Sequence, residues 1–215
     1  ASSRPERCTR PEPPPGIASR EGARMIEQPV RLSSDGTGTF LVVRLVAGDV
    51  DRINLPGGQL KLIIDHAKYQ IAANAQCVGI CLAKDRRLYV VSNEFDFASH
   101  PAENNVRIYR SDPAAAGADP AALKLWFQTQ IPFAVDVFQH SVTMIAQGPD
   151  GMMYISSGSR TDHGEAGAQP NISRDGETPI SACIWRLDPK SDHPRLQVFA
   201  RGLRNAFGMC FDDRG

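Results

Sequence analysis

The chain repeats itself, and that repeat constrains the fold more than any other feature of the sequence. One unit opens Val30-Arg31-Leu32-Ser33-Ser34-Asp35-Gly36 and runs on through Phe40-Leu41-Val42-Val43. A second has Gly79-Ile80-Cys81-Leu82-Ala83-Lys84-Asp85, then Leu88-Tyr89-Val90-Val91. The third has Met144-Ile145-Ala146-Gln147-Gly148-Pro149-Asp150-Gly151, then Met153-Tyr154-Ile155-Ser156. A fourth begins Gly208-Met209-Cys210-Phe211-Asp212-Asp213-Arg214-Gly215. Each reads as a strand, a tight turn at Asp-Gly or its equivalent, and a strand rich in β-branched and aromatic residues. Two more strand-like segments complete each of the first three units: residues 51–55 and 60–64, 106–110 and 123–127, 184–188 and 196–199. Four antiparallel strands repeated around an axis make a β-propeller blade.

The expected fold is therefore all-β, a β-propeller of four-stranded antiparallel blades with about three and a quarter blades present. Residues 26–215 form this partial propeller, with blades near 26–70, 71–130 and 138–201 and the start of a fourth at 203–215. Three blades leave unpaired sheet edges, so a fragment of a larger, six-bladed ring is expected. The turns at 35, 85, 150 and 214 lie 50, 65 and 64 residues apart. That surplus over a minimal blade falls in loops near 93–104, 111–121 and 157–181, where a repeat scaffold carries its function. A β-sandwich accommodates short strands but not so regular a four-strand unit. Helical periodicity is no better than in residues 114–125, which Gly117 and Pro120 interrupt. Residues 1–25 are expected to be a disordered or non-native leader: residues 1–24 hold five Arg and five Pro and lack the apolar stretch of a signal peptide.

Composition excludes some functions. Lys+Arg and Asp+Glu number 24 each, which argues against a general nucleic-acid or anionic-membrane binder. No run approaches the roughly 18 apolar residues of a spanning helix. The five cysteines cannot all pair and form no C-x-x-C motif. Cys77 and Cys81 on one strand would stand roughly 13 Å apart, too far for a disulfide. Cys183 and Cys210 fall in apolar strand patterns, so the cysteines outside the leader are expected to be small buried hydrophobes.

The repeat places His140 just before the innermost strand of the third blade, at the mouth of a central channel. An imidazole there suits a general base acting on a bound alcohol, or a hydrogen bond that holds a loop. His66, His100, His163 and His193 show no paired ligand spacing, which argues against a histidine metal site. Arg204-Asn205 occupies the same station one blade later. Its guanidinium suits a polycarboxylate or phosphate ligand, or staples the inter-blade loop. The polar loop 157–165 could line a sugar pocket, bind a cation or simply be solvated.

The segment His140-Ser-Val-Thr-Met-Ile-Ala-Gln-Gly-Pro-Asp150, followed by Gly-Met-Met-Tyr-Ile-Ser-Ser-Gly158, resembles the third-blade signature of the glucose/sorbosone dehydrogenases. These are soluble quinoprotein β-propellers that use pyrroloquinoline quinone (PQQ) and calcium. Residues 184–189 agree with that pattern. The string from Gly202 to Phe211 is similar to the family's G-x-R-N-P-x-G-x-x-F element, with Ala206 in place of the proline. The resemblance spans about residues 26–215 and is most specific in 140–215.

What it implies is a sugar or aldose dehydrogenase. His140 would take the hydroxyl proton while the C1 hydride passes to the quinone C5 carbon. Arg204 and Asn205 would hold the quinone. Gln139 stands where the family often has an acidic substrate-binding residue. The family's glutamine before the second inner strand has no clear counterpart, since Asn74 falls at that spacing and Gln76 two residues later. Calcium ligands are expected beyond residue 215, so the isolated chain is expected to be inactive. The implied partners are a small sugar and an external electron acceptor, and the implied location is periplasmic or secreted. A gluconolactonase-like metal-dependent hydrolase and a non-catalytic binding propeller are the competing readings.

Overall fold

The computed structural model describes residues 28–46, 48–55, 57–132, 140–161 and 176–212. Twelve strands form three four-stranded antiparallel sheets, each ordered as in the sequence. The first sheet is β1 (Pro29–Ser34), β2 (Thr39–Arg44), β3 (Val50–Asn54) and β4 (Gln59–Ile64). The second is β5 (Gln76–Leu82), β6 (Leu88–Asp96), β7 (Glu103–Arg110) and β8 (Lys124–Pro132). The third is β9 (Val142–Gln147), β10 (Met153–Ser157), β11 (Cys183–Leu187) and β12 (Gln197–Arg201). The first strands face inward, β1 against β5 and β5 against β9, which is the arrangement of propeller blades. Among the described residues the only helical element is a short 3₁₀ turn, His66–Lys68.

Strand alternation explains the stacking, because successive side chains leave opposite faces of a sheet. On β6, Leu88 and Val90 point into a core shared with Leu41, Val43, Val50 and Ile64 of the first blade. Tyr89 and Val91 point the other way, into a core with Val142, Ile145, Met153, Ile155 and Trp185 of the third. The middle blade is thus apolar on both faces, and each large side chain fully buried there contributes about 1.5–3 kcal/mol.

The same device closes each inner hairpin. Asp35 accepts from the Thr37 and Thr39 amides (2.8 and 3.2 Å), Asp85 from the Arg87 amide (3.2 Å) and Asp150 from the Met152 amide (3.0 Å). These side chains supply the turn's missing acceptors.

Two expectations change. Residues 208–211 were expected to start a fourth inner strand, yet residues 202–212 form no strand. A strand needs a ladder partner, and this segment is held by side chains instead. Ala206 O accepts from Thr143 Oγ1 (3.0 Å) and Ser156 Oγ (2.9 Å), and Phe211 packs on Tyr154 with ring centroids 5.1 Å apart. For the same reason Cys210 is exposed rather than buried. Cys77, Cys81 and Cys183 are buried and unpaired as expected. Burial pushes the Cys77 thiol to about 12 and the Cys81 thiol to about 11, so neither is a nucleophile near neutral pH.

Candidate functional site

Three segments converge at the end of the blades opposite the hairpins. His140 stands two residues before β9, and its amide donates to Ser159 O (3.1 Å). The Gly158 amide donates to Ser141 O (3.2 Å), so pairing between the two segments continues beyond the strands. The Ser159 amide in turn donates to Arg204 O (2.8 Å). Ser159 therefore joins, through its own backbone, the two positions that the sequence singled out. Asn205 lies between the anchored carbonyls of Arg204 and Ala206.

Close approach makes this junction possible. A Cβ on Gly158 would lie 2.4 Å from His140 Cβ and 2.5 Å from His140 O. Any side chain at 158 would displace His140 or its strand. His140 is half-buried, as is Asn205, while Arg204 is exposed. The Asn205 Oδ1 atom is enclosed and has no hydrogen-bond partner among the described residues. An acceptor left in that state is costly, and it suits a ligand N–H, O–H or hard cation. The exposed Arg204 guanidinium therefore suits the anionic groups of a quinone, and Asn205 Oδ1 suits an N–H or O–H of the same ligand.

Sequence reasoning missed Asn93, on β6. Its side chain is fully buried and clasps both backbone groups of Val142, donating to Val142 O (2.9 Å) and accepting from Val142 N (3.0 Å). Asn104 Nδ2 donates to the same Oδ1 at 2.9 Å. Asn93 thus fixes the start of β9 and, two residues upstream, His140. The only available signal was an amide continuing the apolar run Leu88 to Val91.

Arg160 was also underrated. It is 0% exposed, donates from Nε to Pro132 O (2.7 Å) and from Nη1 to Gly176 O, and its amide donates to Glu177 Oε2 (3.0 Å). Glu177 also accepts from the Thr161 amide (3.0 Å), Thr161 Oγ1 (2.7 Å) and Ser181 Oγ (2.7 Å). Desolvation pushes the Glu177 carboxyl upward, but these hydrogen bonds outweigh it and hold it below the ordinary glutamate value. Residues 157–161 are thus buried and knitted in rather than solvated. Gln139 and the remainder of that loop, 162–165, lie outside the described residues.

His66 gains neighbours that its sequence spacing did not suggest. Its Nδ1 lies 2.8 Å from Asp49 and 3.7 Å from Asp65, and the three groups lie within 4.8 Å of one another. Asp49 also pairs with Arg44 (3.4 Å) and accepts from the His66 amide (2.9 Å), so the cluster already has a cation in Arg44. It belongs to the first blade and includes neither His140 nor Arg204.

The fold and this junction define the chain as β-propeller blades with a polar channel mouth. No protein-family model matches the chain, and no curated protein sequence does. Among solved structures it is similar to the PQQ-bound aldose sugar dehydrogenase of Streptomyces coelicolor, with 22% identity and a TM-score of 0.52 over 78% of this chain. The chain spans 46% of that protein's length. A glucose dehydrogenase-type oxidoreductase of Thermus thermophilus aligns at 16% identity and a TM-score of 0.44, over 88% of this chain and 68% of that one. The apo-form of the soluble aldose sugar dehydrogenase of Escherichia coli aligns at 12% identity and 0.41, over 83% and 62%. At 22% identity the likeness to the Streptomyces protein is one of fold.

Proposed function

We propose that this chain forms part of a PQQ-dependent dehydrogenase acting on a sugar of the aldose type, with the reaction at the channel mouth. The observation that carries the reading is the Ser159 bridge, which fastens His140 and Arg204 to one residue (3.1 and 2.8 Å). The chemistry supplied by the quinone is acceptance of a hydride equivalent from the alcohol carbon. His140 takes the proton of the substrate hydroxyl, a role that needs a half-buried imidazole on a fixed backbone. Arg204 and Asn205 hold the anionic cofactor, Arg204 by charge-assisted hydrogen bonds to its carboxylates and Asn205 by accepting a ligand N–H at its unmet amide oxygen. Gln139, directly before His140, hydrogen-bonds the sugar. Calcium would be held by ligands outside residues 1–215, electrons would leave to an external acceptor, and the whole protein would work in the periplasm or as a secreted enzyme.

The test is His140→Ala in the full-length protein. Turnover should fall by about 10²–10⁴-fold, with PQQ affinity, read by equilibrium titration, preserved. Unchanged turnover removes His140 from the chemistry. Metal-dependent lactone hydrolysis without quinone would instead favour the gluconolactonase-like reading. A folded protein that neither binds quinone nor turns over would be a binding propeller.

A further inference from the structure

Arg31, on the innermost strand of the first blade, is a cation with no counter-ion among the described residues. Its Nε donates to Val78 O (3.4 Å), its Nη1 donates to Phe207 O (2.6 Å), and its guanidinium carbon lies 5.6 Å from the centroid of the Phe207 ring. Val78 O is free to accept because β5 is bulged between Cys77 and Gly79. All three partners are neutral. Arg44, Arg52, Arg107, Arg110 and Arg186, by contrast, each pair with a carboxylate. Desolvation alone acts on the Arg31 guanidinium and lowers its pKa. A half-buried charge with no opposite charge is costly unless a ligand supplies one.

Its location indicates which ligand. Phe207 lies two residues after Asn205, and Ala206 between them is pinned by Thr143 and Ser156 (3.0 and 2.9 Å). Arg31 therefore meets, from the first blade, the residue two positions beyond Asn205. A guanidinium has five N–H donors, and the two carbonyls use only part of that set.

We propose that Arg31 is a second anion-binding residue of this channel, acting with Arg204 on one carboxylate group of a polycarboxylate ligand. This extends the reading of residues 204–205 as ligand-binding. Neither of the two family-like motifs, 140–158 and 202–211, includes Arg31, which contributes from the first blade.

The test titrates the full-length protein with two probes: PQQ, followed by absorbance, and benzene-1,3,5-tricarboxylate, a redox-inert anion, followed by calorimetry. Arg31→Gln keeps a donor for Phe207 O and removes the charge. Both affinities should fall by about tenfold and their salt dependence should flatten, because a charge-assisted contact is lost. The thermal midpoint should stay that of the parent. Unaltered affinity for both probes in Arg31→Gln overturns the proposal and leaves the dehydrogenase reading intact. Arg31-dependent tricarboxylate binding in a protein that ignores PQQ supports the anion site and removes the quinone. Failure of the parent to bind either probe overturns both. Where Arg31→Gln does not fold, the Arg31 Nε resonance of the parent decides during tricarboxylate titration: a saturating shift supports the contact, and none rejects it.

Discussion

At the hairpin end of the blades, Asp35, Asp85 and Asp150 fold back onto the amides of their own turns, and Arg52, Lys61, Arg87 and Arg186 are matched with acids, while Arg86 donates to Ala118 O (3.3 Å). Arg52 and Lys61 share Asp119 (2.6 and 2.9 Å), Arg87 takes Asp85 (2.6 Å) and Arg186 takes Asp150 (2.7 Å). The Nε atoms of Arg52, Arg86, Arg87 and Arg186 are unbonded among the described residues, but each belongs to a guanidinium that is bonded elsewhere. At the mouth the balance differs. Among the described residues, Asn205 Oδ1 and the hydroxyls of Ser157 and Ser159 are enclosed without partners, and Arg31 has no acid. The hairpin rim meets most of its polar groups with its own side chains, Tyr89 OH excepted, whereas the mouth leaves several enclosed atoms unmet among the described residues. The difference is what supports placing the proposed site at this end of the blades.

Asn93→Ala should give the largest effect, because it strips the mouth of its buried anchor. Both backbone groups of Val142 and the Asn104 amide lose their partner at once. Each unmet buried group costs about 1–3 kcal/mol, so a loss on the order of 3 kcal/mol is expected in denaturant unfolding. A loss near zero would mean that β9 is held by packing alone, and that His140 owes nothing to the neighbouring blade.

Gly158→Ala comes next. The added Cβ meets the backbone and Cβ of His140 at 2.4–2.7 Å, and overpacking of this kind costs about 1–3 kcal/mol. In the full-length protein, turnover should fall while PQQ affinity holds, since the Arg204 carbonyl is bonded one residue away, at Ser159. Gly208→Ala is the matched control at the same end. Nothing lies within 4 Å of its added Cβ, and stability should stay within about 0.5 kcal/mol. Equal effects at 158 and 208 would show that the close approach to His140 is not what singles out Gly158.

These two residues also show how far the sequence could be read. The blades were legible because strand periodicity and the Asp turns are local signals repeated along the chain. His140 and Arg204 were legible as stations of that repeat and through resemblance to a family. Asn93, Arg31 and the tight fit at Gly158 were not, because each acts across blades or between distant segments. Asn93 meets Val142 49 residues away, and Arg31 meets Phe207 across 176 residues. No spacing rule encodes such pairs. The fourth strand was over-read for the converse reason: residues 208–211 carry the local strand pattern, but a pattern supplies no ladder partner.

Acid should affect the mouth next. Glu177 has a lowered pKa, so near pH 4 the folded chain binds fewer protons there than the unfolded chain does. Its contribution is complete above the ordinary glutamate range, about pH 4.5, and is lost as pH falls through the lower folded value. Glu177→Gln should therefore lower the thermal midpoint at pH 7, and the gap to the parent should close as pH drops below about 4.5. A gap independent of pH would assign the effect to shape rather than to charge.

The smallest effect should be at the hairpin end, with Asp150→Asn. Desolvation pushes the Asp150 carboxyl upward, but bonds from Arg186, Met152 and Tyr154 hold it below the usual carboxylate range. That carboxyl is 38% exposed and Arg186 34%, so the ion pair is open to water and salt. Exposed pairs contribute little after screening and side-chain ordering, and the asparagine oxygen still accepts the Met152 amide. The unfolding midpoint should barely move, at low salt or high. A loss comparable to that of Asn93→Ala would reverse the contrast between the two ends, because it would make the self-satisfied rim as costly to disturb as the buried anchor of the mouth.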